Sequence, residues 1–147
     1  MNSGVKVSLT RRYRFSASHR LHSTDFSEAE NQRLYGKCSN PHGHGHNYVM
    51  EATFTGPVDA ETGMIANLGE LDPFVQLEVI EAFDYKYLNE EVAAFRESVP
   101  TTENVVREIY RRLEKFPGAR LERVRVEETS KNSFEISREF PANRSAA

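Results

Sequence analysis

Three of the chain's five histidines lie in one short run, Pro41–Tyr48, where glycine alternates with His42, His44 and His46. If this run is extended, the two-residue repeat of a strand places the three imidazoles on one face. Neutral imidazole is a common ligand for transition metals, and three histidines with one open position are typical of catalytic zinc. The run therefore predicts a metal site. The alternative is a flexible Gly/His turn with adventitious metal affinity.

A further metal ligand is available from a distant segment. His19 and His22 lie just beyond the first predicted strand, and either imidazole could complete a three-histidine set with two histidines of the run. A histidine in this apolar-edged segment could equally be a buried, hydrogen-bonded residue. The spacing alone leaves open which histidines take part.

The single cysteine, Cys38, lies six residues before His44. Because thiolate sulfur binds zinc, a structural Cys/His zinc site is one interpretation. A catalytic base or nucleophile is another, since a nearby metal ion and Lys37 would lower the pKa of the thiol. The third interpretation is an inert cysteine.

A carboxylate continues an apolar strand face late in the chain. Val124, Val126 and Glu128 share one face at period two, whereas Arg123, Arg125 and Glu127 point away. A carboxylate that is buried without a partner is strongly unfavourable, so we expect hydrogen-bond donors to meet Glu128. A planar ligand with two parallel N–H groups would suit it. The alternative is that the strand has ended and Glu128 faces solvent.

The bulk composition is that of one soluble globular domain. The chain has 147 residues, a formal net charge of −3, 38% hydrophobic and 28% charged residues. This charge gives no reason to expect nucleic acid or an anionic membrane as partner, and no apolar run approaches the roughly 20 residues of a membrane span. With one cysteine and no secretory leader pattern, we expect a cytoplasmic protein.

The hydrophobic pattern predicts an α+β domain in the order β-β-α-α-β-β, with a four-stranded antiparallel sheet and two helices on one face. A polar loop is expected from about Ser23 to Asn40. The domain is expected to cover residues 1–147, with frayed ends at about 1–4 and 141–147. The predicted strands cover residues 5–15, 48–55, 121–128 and 134–138.

Both helices have start signals. The first is predicted to begin with Asp72 as N-cap and Pro73 at the first helical position. A start at Asn67, with Glu70 in capping-box position, is the alternative, but it places Pro73 inside the helix, where proline removes a hydrogen bond. The second helix is predicted to start with Thr101 as its cap.

These residues resemble those of the 6-pyruvoyl-tetrahydropterin synthases, a family of the T-fold superfamily. The likeness runs from about Arg14 to Ser137. It is carried by the segments Phe15–Leu21 (FSASHRL), Gly36–Pro41 (GKCSNP), Gly43–Tyr48 (GHGHNY), Thr62–Met64 (TGM), Asn67–Leu68 (NL), Thr101–Val105 (TTENV) and Glu128–Thr129 (ET).

The resemblance implies a zinc site and its ligands. In that family, one histidine of the first segment and two of the H-G-H-N-Y segment hold zinc, and these fall on His19, His44 and His46. His22 and His42 are left out, a choice that spacing alone did not make.

The resemblance also implies the substrate site. The family's catalytic cysteine falls on Cys38 and its pterin-anchoring glutamate on Glu128, with Thr101 and Thr102 as further substrate-binding positions. Members convert 7,8-dihydroneopterin triphosphate to 6-pyruvoyl-tetrahydropterin and triphosphate in tetrahydrobiopterin biosynthesis. They are hexamers of two stacked trimers, with sites at subunit interfaces, so a homohexamer is expected.

One position departs from the family pattern. Where members have Asp-His, assigned to a proton relay with the cysteine, this chain has Asp84 and Tyr85. A phenol has an ordinary pKa near 10 against about 6.5 for imidazole, so it is a poor proton shuttle near neutrality. We expect an imidazole at Tyr85 to raise the rate; the alternative is that another base, such as His42 or His22, performs the relay.

Two other functions are compatible with the same motifs. The similar 6-carboxy-tetrahydropterin synthases of queuosine biosynthesis share substrate and zinc, but their cysteine typically lies closer to the histidine pair, as C-x3-H-G-H. Here five residues separate Cys38 from His44, although a reading from Cys38 to His42 also fits that spacing. Asn40-Pro41 and Asn47-Tyr48 favour the pyruvoyl type. The other alternative is a pterin-binding protein with weakened catalysis.

Overall fold

The structure, a computed structural model, describes residues 5–138. Its sheet has the strand order β3-β1-β2-β4-β5, and every pair of neighbours is antiparallel except β1 and β3, which are parallel. The α+β prediction is confirmed, but the four-stranded, wholly antiparallel sheet is wrong, because a two-residue strand leaves no hydrophobic pattern to read. The ends predicted to fray lie outside the described residues. The strands are β1 (Val7–His19), β2 (His44–Gly56), β3 (Lys86–Tyr87), β4 (Arg120–Thr129) and β5 (Asn132–Ser137).

The helical segments are more numerous than the two predicted. They are α1 (Glu28–Tyr35), α2 (Leu68–Val75), α3 (Glu81–Phe83), α4 (Leu88–Glu91) and α5 (Thr102–Leu113), with 3-10 turns at Gly36–Ser39 and Ala93–Phe95 and a π-helical stretch, Gln76–Ile80, between α2 and α3. The polar loop expected over residues 23–40 is therefore wrong, since α1 lies inside it. The one buried residue of α1 is Asn31, so this helix has no apolar face that the hydrophobic pattern could reveal.

The predicted start of the first long helix is also wrong. α2 begins after Asn67, whose side chain accepts the backbone N–H of Gly69 at 2.8 Å, and Pro73 lies inside the helix. Asp72 does not cap this helix, because its carboxylate accepts hydrogen bonds from Arg11 and Tyr13 of β1. A partner that is distant in sequence thus overrides the local capping signal.

The core lies between one face of the sheet and the helices. β1 and β2 pair without interruption over thirteen residues each, so residues two apart along either strand share the inner face. α5 begins where predicted, with the Thr101 hydroxyl accepting the backbone N–H of Asn104 at 3.2 Å. Among residues 5–138, no helix is long and apolar enough to cross a bilayer. Fully buried core side chains include Met50, Phe54, Leu71, Val75, Val79, Phe83, Val105, Ile109, Leu113, Val124 and Val126.

Candidate metal and substrate site

The pairing of β1 with β2 brings three imidazoles together. His19 lies directly opposite His44, and Ala17 lies opposite His46, so His19 meets both histidines across the strand pair. The ring centroids are 4.8–5.0 Å apart, and one ligand atom from each ring lies within 4.8 Å of the others. These three residues could therefore hold a metal ion.

Gly43 explains why His42 is not part of this group. Gly43 has φ of +68°, so the chain turns there and β2 begins at His44. A Cβ at Gly43 would lie 2.7 Å from the carbonyl oxygen of His19, closer than real Cβ contacts allow. The positive φ and the close approach both require glycine. The expectation that three imidazoles of the run share one face is thus wrong for His42, which is exposed.

The surroundings of His19 and His46 suit metal binding. His19 is fully buried, and its Nδ1 donates a hydrogen bond to the carbonyl oxygen of Pro100 at 2.8 Å, which leaves Nε2 free as the ligand atom. Burial lowers the pKa of His19 and of His46, so both rings favour the neutral form that binds metals. Pro100 was not identified from sequence, because a backbone acceptor leaves no signal in residue types.

Two further observations test the fit of a metal ion. Nε2 of His46 is buried and has no hydrogen-bond partner among the described residues. Nε2 of His19 and Nε2 of His44 are 3.1 Å apart, close to the separation of about 3.3 Å expected for two nitrogens at about 2.0–2.1 Å from one tetrahedral ion. An unpartnered ligand atom and this spacing both fit a bound metal.

Glu128 lies beside the imidazoles, on the face that the strand pattern predicted. One carboxylate oxygen accepts the hydroxyl of Thr102 and is 3.9 Å from Nε2 of His46; the other accepts the amide of Asn132 at 3.3 Å. The β4–β5 pairing is irregular between Glu127 and Thr129, which is typical of a bulge that redirects a side chain. Hydrogen-bond donors therefore meet Glu128, and the alternative of a purely solvent-facing residue is wrong.

Cys38 lies in the 3-10 turn Gly36–Ser39 and is half-buried. Its carbonyl oxygen accepts the N–H of Leu21 at 2.7 Å, which ties the turn to the chain just beyond His19. Burial, and after it the charge of Glu128, raises the pKa of the thiol. The protein groups alone thus act against the expected lowering of this pKa, and Lys37 is not among the groups that shift it.

Comparison with known proteins identifies the family. Residues 8–139 match the family model described as 6-pyruvoyl tetrahydropterin synthase. The chain belongs to this family. It is 42% identical to the 6-pyruvoyl tetrahydrobiopterin synthase of Drosophila melanogaster, over 92% of this chain and 82% of that protein, and 43% identical to that of Homo sapiens, over 86% and 88%. The solved Caenorhabditis elegans 6-pyruvoyl tetrahydropterin synthase matches with a TM-score of 0.87 at 38% identity, covering 95% of this chain and 100% of that one.

The position that departs from the synthase family pattern lies at the edge of the sheet. Asp84 accepts the backbone N–H of Ser16 at 2.8 Å, and the N–H of Tyr85 donates to the carbonyl oxygen of Ser16 at 2.6 Å. Tyr85 has φ of +59°, which is rare for a bulky residue, and the side chain is 86% exposed. In the described part of the chain, no hydrogen bond joins Cys38 to either residue.

The remaining predicted site residues have other surroundings in this synthase-family chain. Thr101 caps α5, so its hydroxyl is used by the helix backbone, whereas Thr102 contacts Glu128. His22 lies outside the imidazole group and lines a separate cavity of about 440 Å³ with Arg20. Sequence reasoning also missed Asn132, the first residue of β5, whose amide contacts Glu128.

Proposed function

We propose that this chain is a zinc-dependent lyase that converts 7,8-dihydroneopterin triphosphate to 6-pyruvoyl-tetrahydropterin and triphosphate. The proposal rests on one observation above all: three imidazoles converge beside a carboxylate in a chain 42–43% identical to proteins named 6-pyruvoyl tetrahydrobiopterin synthase. The names of these relatives favour the pyruvoyl type over the carboxy type.

His19, His44 and His46 would hold the zinc ion. A zinc ion bound there would supply Lewis acidity toward the substrate's side-chain oxygens and positive charge near the thiol. Imidazole nitrogens suit zinc, and the hydrogen bond from His19 Nδ1 to the Pro100 carbonyl would leave Nε2 to face the ion.

Glu128 would anchor the pterin ring. Its carboxylate is an acceptor for the two parallel N–H groups that a pterin presents, as it would be for a guanidinium group. The Thr102 hydroxyl and the Asn132 amide hold the carboxylate in place from two sides. Thr101 contributes indirectly, because it caps the helix whose first residue is Thr102.

Cys38 would take and return protons at the substrate side chain. The thiol starts from a raised pKa, so it needs added positive charge before it can act as a base. The exposed Tyr85 and its neighbour Asp84 have no hydrogen bond to it within the described chain. We propose a homohexamer in which sites form between subunits on the ground of the family resemblance alone.

Turnover of 7,8-dihydroneopterin triphosphate, with products identified by mass spectrometry, tests this function. We expect 6-pyruvoyl-tetrahydropterin and inorganic triphosphate. A carboxylated pterin with acetaldehyde would identify the alternative lyase, and binding without turnover would identify a weakened pterin-binding protein. Either result contradicts the proposal.

The role of Tyr85 has its own test. If proton transfer at this position is limiting, Tyr85→His should raise the single-turnover rate near neutral pH, because imidazole has a pKa nearer the working pH. Tyr85→Phe is the matched control. If Tyr85→Phe loses most activity while Tyr85→His gains none, the phenol itself is a working group and this account fails.

A further inference from the structure

Two buried polar side-chain atoms in residues 5–138 have no hydrogen-bond partner: Nε2 of His46 and the hydroxyl of Tyr48. The two residues are two positions apart on β2 and therefore share its inner face. Buried polar groups in folded proteins are almost always hydrogen-bonded, so each exception needs an explanation. A metal ion accounts for His46, but nothing in the proposed roles accounts for Tyr48.

The surroundings of Tyr48 place its ring beside the imidazole group. Its ring stacks on Phe15 with centroids 4.9 Å apart and meets the His46 ring edge-on at 5.6 Å. Val49 of β2 pairs with Glu127 of β4, so the next residues in the register, Tyr48 and Glu128, are neighbours on the inner face. Tyr48 thus lies between the imidazole group and Glu128.

We propose that Tyr48 is a further substrate-binding residue whose hydroxyl donates a hydrogen bond to an oxygen of the substrate's side chain. The inference rests on the proposed function, because the acceptor is the hydroxyl or ketone oxygen of a pterin side chain held at the imidazoles. A phenol is protonated near neutral pH, so it acts here as a donor.

Access to the hydroxyl fits this role. The side chains of His46 and Glu128 keep 15% and 17% of their surface exposed, whereas Tyr48 is fully covered. A substrate side chain bound at the imidazoles and Glu128 would lie next to Tyr48 on the same face and would supply the partner that the described residues do not. The hydroxyl then lowers the stability of the free protein but strengthens substrate binding. An ordinary core tyrosine differs, because its hydroxyl has a partner within the protein and adds to stability.

The variant Tyr48→Phe and the control Tyr13→Phe test the inference as a pair. Both remove one hydroxyl from the inner face of the sheet, but the Tyr13 hydroxyl already donates to Asp72 at 2.7 Å. Thermal unfolding without substrate, zinc content, and kcat/KM with 7,8-dihydroneopterin triphosphate should be measured for both variants and the wild type.

We expect opposite effects on stability. Tyr48→Phe should raise the melting temperature by about 2–4 °C and lower kcat/KM about threefold to tenfold, with zinc content unchanged. Tyr13→Phe should lower the melting temperature and leave kcat/KM unchanged. A lowered melting temperature for Tyr48→Phe means that water or protein already satisfies the hydroxyl, and unchanged kcat/KM means that substrate does not use it. Either outcome overturns the inference, whereas absence of turnover by the wild type overturns the proposed function instead.

Discussion

The inner face of the sheet carries two polar clusters that share strand β1. In the first, Asp72 accepts two hydrogen bonds from the Arg11 guanidinium, at 3.1 and 2.8 Å, and one from the Tyr13 hydroxyl. In the second, around the three imidazoles, two buried polar atoms lack partners among residues 5–138. The hydrogen bonds of the first cluster are complete and its side chains partly exposed, whereas the second cluster is more deeply buried and has these two atoms without partners.

This difference separates a structural cluster from a functional one. Burying polar groups without partners is costly, so a fold tolerates it where a ligand supplies the missing interaction. Asp72 has its partners within the chain and needs no ligand. The imidazole cluster, with Glu128 and Tyr48, is arranged for groups that residues 5–138 do not provide.

The largest expected effect is loss of metal from the incomplete cluster. We expect about one zinc ion per chain in the wild type, and His46→Ala should weaken zinc affinity by more than about 100-fold, because it removes a ligand and not merely an outer partner. Chelator competition measures the affinity. Asp72→Asn should keep full zinc content; if it loses zinc too, the two clusters are coupled and the comparison fails.

Loss of the pterin anchor should come next. Glu128→Gln keeps the shape of the side chain but loses its charge, so substrate binding should weaken by about 1.5–3 kcal/mol. Zinc content should stay the same, because Glu128 is not one of the three proposed zinc ligands. Its carboxylate lies 3.9 Å from Nε2 of His46. Unaltered binding would show that the carboxylate has no substrate partner.

A smaller effect on zinc affinity is expected at Gly43. It should distinguish the close approach of Gly43 to His19 from the strain of its left-handed backbone. Gly43→Ala should lower zinc affinity about tenfold, because the new methyl group would push His44 away from His19. Gly63→Ala is the matched control: Gly63 has φ of +73°, similar to the +68° of Gly43, but open space around it. Both variants should lose some stability, about 1–2 kcal/mol for the left-handed backbone. Equal zinc affinities would refute the positioning role of Gly43.

The complete cluster should give the smallest effect, and one that depends on pH. Hydrogen bonding to Arg11 lowers the pKa of Asp72, with Tyr13 adding to the effect. The depressed pKa means that Asp72 stabilises the fold above its unfolded-state pKa near 3.9 and loses this contribution as pH falls through the folded value. Asp72→Asn should cost at most about 1 kcal/mol at pH 7, since the pair is partly exposed, and the difference from wild type should shrink below about pH 4. Denaturant unfolding at both pH values measures it; a constant difference would contradict the linkage.

The sequence by itself determined the composition of the site. The residue types and motifs around His19, Cys38, His44, His46 and Glu128 identified the family, and period two placed Glu128 on the apolar face. These inferences succeed because they depend on local spacing and on side-chain chemistry. The start of α5 at Thr101 was predictable for the same reason, since capping is a short-range interaction.

Only the tertiary structure decided which of these residues meet. The pairing of β1 with β2 sets His19 opposite His44, the turn at Gly43 excludes His42, and Asp72 serves Arg11 instead of capping a helix. Each outcome depends on atoms distant in sequence that come within hydrogen-bond or contact distance. The unpartnered hydroxyl of Tyr48 belongs to the same class, because whether a buried group has a partner is a property of the packed chain and not of its residue types.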